Sequence, residues 1–282
     1  MTRAAVSAER AWHADIMGMP ISVRLCGPGL HTPAVQSCVD GAFTWLRRVD
    51  AVFSTYRADS DLSRNRRGEL PLSACDPLVP DVLELCAQAA AATEGWFDPQ
   101  VMTSRGRALD PTGIVKGWAV QRAGELLSGL KEHDHYLNAA GDITMIVRDH
   151  AAKPWRLGVA DPHVPAALAD VVTWRNGGMA TSGTAARGGH VYNPFTGRPA
   201  LELASVTVVG PELMWADVYA TAALARGLAA HPWLDTLTDY EYFVVTATGE
   251  HWHSSGWDAL RGRFMGCSTS SSSTSSPVRS CY

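Results

Sequence analysis

Hydrophobic residues recur along the chain with two different periods, which predict a mixture of helices and strands. A spacing of three to four residues predicts helices over residues 33–53, 79–93, 114–130 and 215–228. Alternating or short apolar runs predict strands over residues 21–26, 136–137, 142–147, 155–159, 171–174, 206–209, 242–246 and 251–253, the last two closing as a hairpin around Gly249. Turn-forming residues are frequent over residues 53–63 and 177–189, where we expect loops.

The order of these elements favours an α+β fold, with mixed or antiparallel sheets packed against helices. Helices and strands follow one another without the regular rhythm of a doubly wound parallel sheet. The chain of 282 residues is long enough for a large core, and we expect one domain of two packed lobes over residues 1–266. Residues 267–282 are rich in Ser and Thr, so we expect a disordered tail with too few apolar groups to fold.

Composition argues against several classes of function. Hydrophobic residues make up 46% of the chain and charged residues 18%, with a formal net charge of −4, as is ordinary for a soluble globular protein. The densest basic stretch, at Arg64, Arg66 and Arg67, is too short to predict nucleic-acid binding. The six cysteines form no Cys-x-x-Cys pair and no cluster with His, which suits a reducing compartment. No apolar run approaches the roughly 20 residues of a membrane span, so we expect a cytoplasmic protein without one.

A carboxylate and a hydroxyl lie four residues apart in the predicted helix 215–228. We expect Asp217 and Thr221 on one face of that helix, one turn apart. Magnesium binds such oxygen ligands and leaves its other positions to water and substrate phosphates, so the pair is a candidate metal site. The alternative is an Asp near a helix N-terminus, where the helix dipole stabilises negative charge, and the spacing alone favours that simpler interpretation.

A glycine-bearing turn precedes the predicted helix 114–130, with the sequence DPTGIVKG at residues 110–117. Such a turn can present backbone N–H groups and the ammonium of Lys116 to a phosphate. The spacing differs from that of a P-loop. An ordinary helix start with an exposed lysine is an equally good interpretation of these residues.

A third polar segment contains ATSG at residues 180–183 and GGHVYNPFTG at residues 188–197. His190 lies just ahead of an Asn-Pro turn, and histidine is the usual proton acceptor near neutral pH, so it is a candidate general base. A surface histidine is the simpler alternative. Ser182 lacks the Gly-x-Ser-x-Gly elbow that would indicate a serine hydrolase.

Seven motifs, in order along the chain, resemble those of the FAD:protein FMN transferase family, the ApbE-like flavin transferases. They extend from about Met17 to Gly227 and so cover most of the chain. Their sequences here are MG at 17–18, FSTYRADSDLS at 53–63, GWFDP at 95–99, DPTGIVKG at 110–117, NAAGD at 138–142, TSG at 181–183 with HVYNPFTG at 190–197, and DVYAT at 217–221. Each motif is short, and the resemblance rests on their shared order.

The resemblance implies that FMN is transferred from FAD to a protein. In this family a Thr or Ser hydroxyl of an acceptor flavoprotein attacks the FMN phosphorus of FAD and expels AMP, with Mg²⁺ on the pyrophosphate. Carried over to this chain, Asp217, Thr221 and the backbone carbonyl of Val115 would hold the metal. Lys116 would neutralise phosphate charge, and His190 would accept the proton of the attacking hydroxyl.

The resemblance also implies which residues bind FAD. Tyr56 would pack on the flavin ring, while Gly141 and Asp142 would shape the pocket. The other implied FAD-binding residues are Met17, Ser60, Phe97, Asp98, Lys116, Thr181, Ser182 and Gly183.

This sequence departs from the family pattern at several positions. The departures are Met19 for Thr, Thr112 for Gly, Val115 for Ala, Ala140 for Gly and Asn193 for Asp. The change at Asn193 removes a carboxylate that could orient His190. The stretch 98–110 is also much shorter than in typical members.

Two alternative functions remain open on the sequence alone. A Mg²⁺-dependent FAD pyrophosphatase would use the same site with water in place of the acceptor hydroxyl, giving AMP and FMN. A flavin-binding module would bind FAD and carry out no chemistry.

Overall fold

A computed structural model describes residues 8–103, 106–148, 152–184 and 191–261, together with their side chains except at 101–108. The described strands are β1 (Glu9–Ile16), β2 (Met19–Cys26), β3 (Gln100–Thr103), β4 (Gly106–Leu109), β5 (Asp134–Ala139), β6 (Asp142–Ile146), β7 (Trp155–Ala160), β8 (Leu168–Trp174), β9 (Gly177–Gly183), β10 (Leu203–Gly210), β11 (Glu241–Thr246) and β12 (His251–His253). The described helices are α1 (Pro33–Phe53), α2 (Asp61–Arg66), α3 (Leu78–Ala92), α4 (Thr112–Leu127), α5 (Leu213–Arg226), α6 (His231–Leu234) and α7 (Trp257–Leu260).

Most of the strands form one large antiparallel sheet. Eight of the described strands pair in the spatial order β1–β2–β5–β6–β9–β10–β11–β12, and each neighbouring pair is antiparallel. The hairpins β3–β4 and β7–β8 form separate two-stranded sheets. The predicted fold class, α+β with antiparallel sheets packed against helices, is confirmed.

The central strands of the large sheet are covered on both faces, so alternate side chains enter two different cores. Every residue of β10 is buried. Val206 and Val208 face the helices, while Val209 faces the opposite way. On β11, Val244 faces the helices and Phe243 faces the opposite core. The two-residue period of a strand produces this division.

Three layers result from this arrangement. Helices α1, α4 and α5 pack on one face of the large sheet and against one another. The hairpin β7–β8 and the short helix α7 cover the opposite face, where Trp155 and Trp257 have no exposed surface. Burial of such large apolar side chains stabilises both faces of the sheet.

The predicted helices and strands are confirmed, with bounds that move by a few residues at most of the ends. Helix α1 coincides with the predicted segment 33–53, and β11 and β12 close as a hairpin whose Gly249 has a φ of 88°. The sequence pattern does not predict β1, the hairpin β3–β4 or the short α2. β1 contains alanines and charged residues, which are weak strand formers, and its pairing with β2 stabilises it instead.

Both predicted loops are wrong in part: α2 begins at Asp61, inside the loop predicted over residues 53–63, and β9 occupies the first part of the loop predicted over residues 177–189, whose residues 185–189 lie outside the described residues. The sequence predicts a loop over residues 177–189, but Gly177–Gly183 form β9 near the centre of the large sheet. Gly178 allows β9 and α5 to pack closely. A Cβ atom on Gly178 would lie 2.5 Å from Cα of Leu213, so a larger residue would push α5 away from the sheet.

The Ser- and Thr-rich tail at residues 267–282 lies outside the described residues. Its predicted disorder and the predicted domain bounds 1–266 therefore stay predictions. Among the helices that the structure describes, none combines the length and the apolar character needed to cross a membrane.

Helix α4 presents glycine where it touches its neighbours. A Cβ atom on Gly117 would lie 2.9 Å from Cβ of Asp217 and 3.2 Å from Cα of Met214 in α5. Two turns later, a Cβ atom on Gly124 would lie 2.6 Å from Cγ2 of Thr144 in β6. The absence of a side chain at these two positions lets α4 approach both α5 and the sheet closely.

Replacing Gly117 by Ala should lower the free energy of unfolding by about 1–3 kcal/mol, because the added methyl group has no room between α4 and α5. Gly41→Ala is the matched control. Gly41 also lies inside a helix, α1, and has open space beside its Cα, so Ala there should stabilise the protein by roughly 0.5–1 kcal/mol. Urea titrations of both variants measure these changes, and a gain in stability at both positions would contradict the close packing of α4 on α5.

Candidate active site

Two tight turns lie side by side at one end of the large sheet. Met17 and Gly18 connect β1 to β2 with φ angles of 57° and 70°, and Ala140 and Gly141 connect β5 to β6 with φ angles of 51° and 99°. Positive φ at both central residues is the geometry of a type I′ hairpin turn. Because β2 pairs with β5 along its length, both turns reach the same end of the sheet.

Asp142 begins β6 directly after the second turn and faces the helices. Its side chain is 1% exposed, and its Oδ2 lies 2.7 Å from Nζ of Lys116 in α4. Asn138 fixes the turn, since its Oδ1 accepts a hydrogen bond of 2.9 Å from the N–H of Gly141. The structure therefore joins Lys116 and Asp142, two predicted site residues, in one largely buried ion pair.

Asp217 lies at the same place, carried there by α5. It is 3% exposed, and its Oδ2 accepts a hydrogen bond of 3.2 Å from the N–H of Gly117. Burial, together with the negative charge of Asp142, raises the pKa of Asp217 to about 7, while the charge of Lys116 opposes the rise. Among the described residues, two carboxyl groups thus share a buried site with the ammonium of Lys116.

This group of side chains, which we call the carboxyl cluster (Asp142, Asp217 and Lys116), contains the carboxyl oxygens that a hard cation prefers as ligands. A further positive charge would relieve the repulsion between the two carboxyl groups. Mg²⁺ favours such oxygen ligands, with neutral oxygens beside the carboxylate. Thr221 supplies a hydroxyl one turn after Asp217, and Val115 lies on α4 two residues before Gly117, so all three predicted metal ligands lie on the helix pair that forms the cluster.

Ser182 and Thr181 point to opposite faces of the sheet. The hydroxyl of Ser182 lies 2.8 Å from that of Thr221 on α5, whereas the hydroxyl of Thr181 lies 2.8 Å from that of Thr207 on β10. Gly183 ends β9 where a Cβ atom would press on β10. The structure therefore brings the Ser182 side chain to the helices of the cluster, but it directs the Thr181 side chain away from them.

Tyr56, the predicted flavin-stacking residue, projects into solvent from the loop between α1 and α2. It is 96% exposed. Hydroxyl groups hold the loop in place: Oγ of Ser60 donates to the carbonyl of Ser54 at 2.6 Å and accepts from the N–H of Ser63 at 3.1 Å, so it caps α2. Ser60, predicted to bind FAD, is fully buried, and its hydroxyl shapes the loop that presents Tyr56.

The predicted Phe-Asp-Pro turn packs beside the start of α4. Phe97 is 3% exposed, and its Cε2 would lie 3.1 Å from a Cβ atom on Gly113. Oδ1 of Asp98 accepts a hydrogen bond of 3.0 Å from the N–H of Gln100, which shapes the entry into β3. Both predicted FAD-binding residues thus help to form the wall next to the first turn of α4.

Arg66, the last residue of α2, connects that helix to the start of α4. Its Nη2 donates to the carbonyl of Leu109 at 2.6 Å and lies 3.3 Å from Oδ2 of Asp110. Asp110 in turn accepts from both the N–H and the hydroxyl of Thr112. These contacts bring α2 and the first turn of α4 together, so the second and fourth motifs are neighbours in space.

His190, the predicted base, lies outside the described residues. The following turn is described, and Asn193 organises it: its Oδ1 accepts hydrogen bonds of 3.0 Å from the N–H groups of both Phe195 and Thr196. An Asp carboxylate would accept the same two bonds. The replacement of the family's Asp by Asn193 therefore leaves this turn intact.

The sequence does not predict the contacts that hold the cluster together, although Asp142 and Asp217 are predicted site residues. Gly117 and Asp217 are 100 residues apart in the chain, so no local spacing relates them, and the same holds for the contact between Asp142 and Asp217. One signal was present: glycine is unfavourable within a helix unless packing requires it, and Gly117 interrupts an otherwise helical pattern.

Asp217→Asn should stabilise the metal-free protein at alkaline pH and have little effect in acid. In the folded protein Asp217 keeps its proton up to a pKa of about 7, above the ordinary value of 3.8, so the free energy of unfolding falls as the pH rises from about 4 to about 7. Asparagine carries no charge and avoids this loss, which we expect to be on the order of 4 kcal/mol above that range. Urea titrations in the presence of a chelator at about pH 4 and about pH 8 measure the difference.

Asp40→Asn, on the exposed face of α1, is the control for this experiment. Its effect on stability should be small at both pH values, because substitutions of exposed side chains usually change stability by no more than about 0.5 kcal/mol. An equal gain for Asp217→Asn at both pH values would contradict a buried carboxyl that holds its proton to neutral pH.

Comparison with known proteins supports the motifs that the fold brings together. The profile of the ApbE family matches residues 17–105 and 100–244. The FAD:protein FMN transferase of Haemophilus influenzae is 30% identical over 272 residues, which covers 75% of this chain and 79% of that protein.

Solved structures share the fold at lower identity. Pseudomonas stutzeri flavinyl transferase ApbE in its apo form gives a TM-score of 0.75 at 21% identity, covering 93% of this chain and 100% of that one. The ApbE protein of Thermotoga maritima gives a TM-score of 0.75 at 18% identity, covering 90% of this chain and 99% of that one. Since the family profile matches well over half of the sequence, this chain belongs to the ApbE family.

Proposed function

We propose that this chain transfers FMN from FAD to a Thr or Ser hydroxyl of an acceptor protein and releases AMP, in a reaction that requires Mg²⁺. One observation carries the proposal: the buried carboxyl cluster lies at the end of the sheet where the family motifs meet. The relative in Haemophilus influenzae, which bears the name FAD:protein FMN transferase, supports the substrates.

Asp217, Thr221 and the carbonyl oxygen of Val115 are the proposed metal ligands. Asp217 carries the formal charge, and the N–H of Gly117 fixes the position of its carboxylate. The hydroxyl of Thr221 is oriented by Ser182. When bound, Mg²⁺ would neutralise charge on the pyrophosphate of FAD. The fit rests on the donor set, since a carboxylate with neutral oxygens beside it suits this ion.

Lys116 is the proposed cation for the phosphates. Its side chain is 21% exposed and is held at the cluster by its ion pair with Asp142. Phosphoryl transfer depends on charges that are in position before the reaction begins, because the protein then need not reorganise as negative charge develops. Asp142 would act as a positioning residue that keeps the ammonium at the phosphate site.

The proposed chemistry is a single displacement at phosphorus. The acceptor hydroxyl attacks the phosphorus of the FMN half of FAD, and the bond from that phosphorus to the bridging oxygen breaks as the new P–O bond forms. AMP leaves with the electron pair of the broken bond. His190 is the proposed base that takes the proton of the attacking hydroxyl.

Tyr56 is the proposed stacking partner of the flavin ring. Its exposed side chain offers a flat apolar surface on a loop that Ser54 and Ser60 hold in place. Because the loop is already ordered, little conformational entropy would be lost when the flavin binds.

The central test is mass spectrometry of a library of synthetic peptides, each with one Thr or Ser, after incubation with this chain, FAD and Mg²⁺. We expect covalent FMN on a subset of peptides and an equal amount of AMP. Release of AMP and free FMN in amounts that do not depend on the peptides would identify a pyrophosphatase instead. Binding of FAD with no AMP under any condition would identify a binding module.

Asp217→Ala should nearly abolish Mg²⁺-dependent transfer, because a charged ligand is lost, whereas Thr221→Ala should be milder because water can replace a neutral ligand. Calorimetric titration of Mg²⁺ into the FAD complex gives a second measurement, and we expect the affinity to fall in the same order. Asp40→Ala, on the exposed face of α1, is the control and should leave both measurements unchanged. Full Mg²⁺-dependent activity in Asp217→Ala would remove Asp217 from the metal site.

His190→Ala and Tyr56→Ala should separate chemistry from binding. Loss of a general base should slow transfer by about a hundredfold to ten-thousandfold with FAD affinity nearly unchanged. Loss of the stacking surface at Tyr56 should weaken FAD binding first and leave the rate at saturating FAD close to that of the parent. Single-turnover rates and flavin fluorescence titrations measure the two effects, and a His190→Ala enzyme as fast as the parent would exclude that residue as the base.

A further inference from the structure

A short hairpin beside the candidate site, residues 191–200, carries two exposed aromatic side chains. Tyr192 is 55% exposed and Phe195 is 64% exposed. Aromatic residues are enriched at protein interfaces because they bury much apolar area at little cost in side-chain entropy. Two of them on one small hairpin make this surface a candidate interface.

The hairpin is well ordered by its own hydrogen bonds. Tyr192 and Pro199 form an antiparallel bridge, and the N–H of Ala200 donates to the carbonyl of Val191 at 2.9 Å. Asn193 closes the turn with its side chain. Rings that are already held in one place lose little freedom when a partner binds.

The hairpin rests on a third aromatic ring. Phe195 meets Trp96 edge to face, with 4.8 Å between the ring centroids. The guanidinium of Arg226 lies 5.5 Å from the centroid of the same Trp96 ring and is paired with Glu94 at 3.0 Å. Because this cation already has a carboxylate partner, the surface offers apolar contact more than charge.

Trp96 connects this surface to the carboxyl cluster. The next residue, Phe97, packs against Gly113 in the first turn of α4. Gly117, which binds Asp217, follows one turn later, about 6 Å further along the helix axis. A ligand that lies on the hairpin is therefore within reach of the proposed phosphate site.

We propose that Tyr192, Phe195 and Trp96, here called the aromatic patch, dock the segment of the acceptor protein that carries the target hydroxyl. This inference rests on the proposed function. Transfer to a protein requires the target Thr or Ser to lie at the phosphorus, so the residues that flank it must contact the surface beside the cluster. The patch fits an apolar or aromatic flanking residue, which would supply the buried contact at the centre of such an interface.

The test uses the same peptide library, divided into peptides with apolar flanks and peptides with charged flanks. The parent chain should label the apolar set preferentially. The double variant Tyr192→Ala, Phe195→Ala should lower kcat/KM for that set by about tenfold to a hundredfold and lose the preference. Its FAD affinity and its single-turnover rate at saturating peptide should match those of the parent, because neither side chain belongs to the proposed chemistry.

Two further variants control for loss of structure. The double variant Tyr192→Phe, Phe195→Tyr keeps both rings and should retain the preference for apolar flanks. Val164→Ala removes an exposed apolar side chain from the turn between β7 and β8, on the opposite side of the sheet, and should change nothing.

Three results would overturn the docking surface while leaving the proposed function in place. The alanine variant could label both peptide sets as the parent does, or it could lose FAD affinity, which would make the patch part of the flavin site. Light scattering could also show a parent dimer that the alanine variant dissociates, which would make the patch a contact between copies. A parent chain that labels no peptide would contradict the proposed function itself, and the docking surface with it.

Discussion

The burial of Asp217 against α4 is the contact on which the rest of the site depends. The carboxyl group reaches the N–H of Gly117 because α4 has no side chain at that position, where a Cβ atom would lie 2.9 Å from Cβ of Asp217. The same approach sets the position of α5 on the sheet, and it thereby brings Thr221 to Ser182 on β9. One glycine thus links the packing of three elements to the placement of the proposed metal ligands.

Stability and function oppose each other in the carboxyl cluster. Burying Asp217 beside a second carboxyl group is unfavourable for its charged form, and burial, followed by the negative charge of Asp142, raises its pKa. The ion pair between Lys116 and Asp142 offsets part of it. A cation bound here would stabilise the folded state as well as serve the reaction, because binding to the folded protein alone shifts the folding equilibrium. Active sites commonly retain such unfavourable groups, which function requires.

The departures from the family pattern preserve the backbone that the site needs. Ala140 adopts a φ of 51°, where an L-residue is strained by roughly 1–2 kcal/mol and glycine would not be. The turn forms nonetheless, since the pairing of β5 with β6 holds both of its ends, and Asp142 keeps its place. Asn193 closes its turn with the two hydrogen bonds that an aspartate would accept. Both changes leave the geometry in place and alter only local strain or charge.

The sequence by itself determined the elements whose signal is local. The amphipathic period of residues 33–53 and the hairpin around Gly249 needed no tertiary information, because apolar spacing and turn chemistry act over a few residues. The tertiary structure decided what depends on distant partners. Residues 177–183 are a strand because they pair with β6 and β10 and because Gly178 leaves room for α5. Ser182 faces the cluster and Thr181 does not, since strand register assigns each side chain to a face, and pairing across the sheet sets that register.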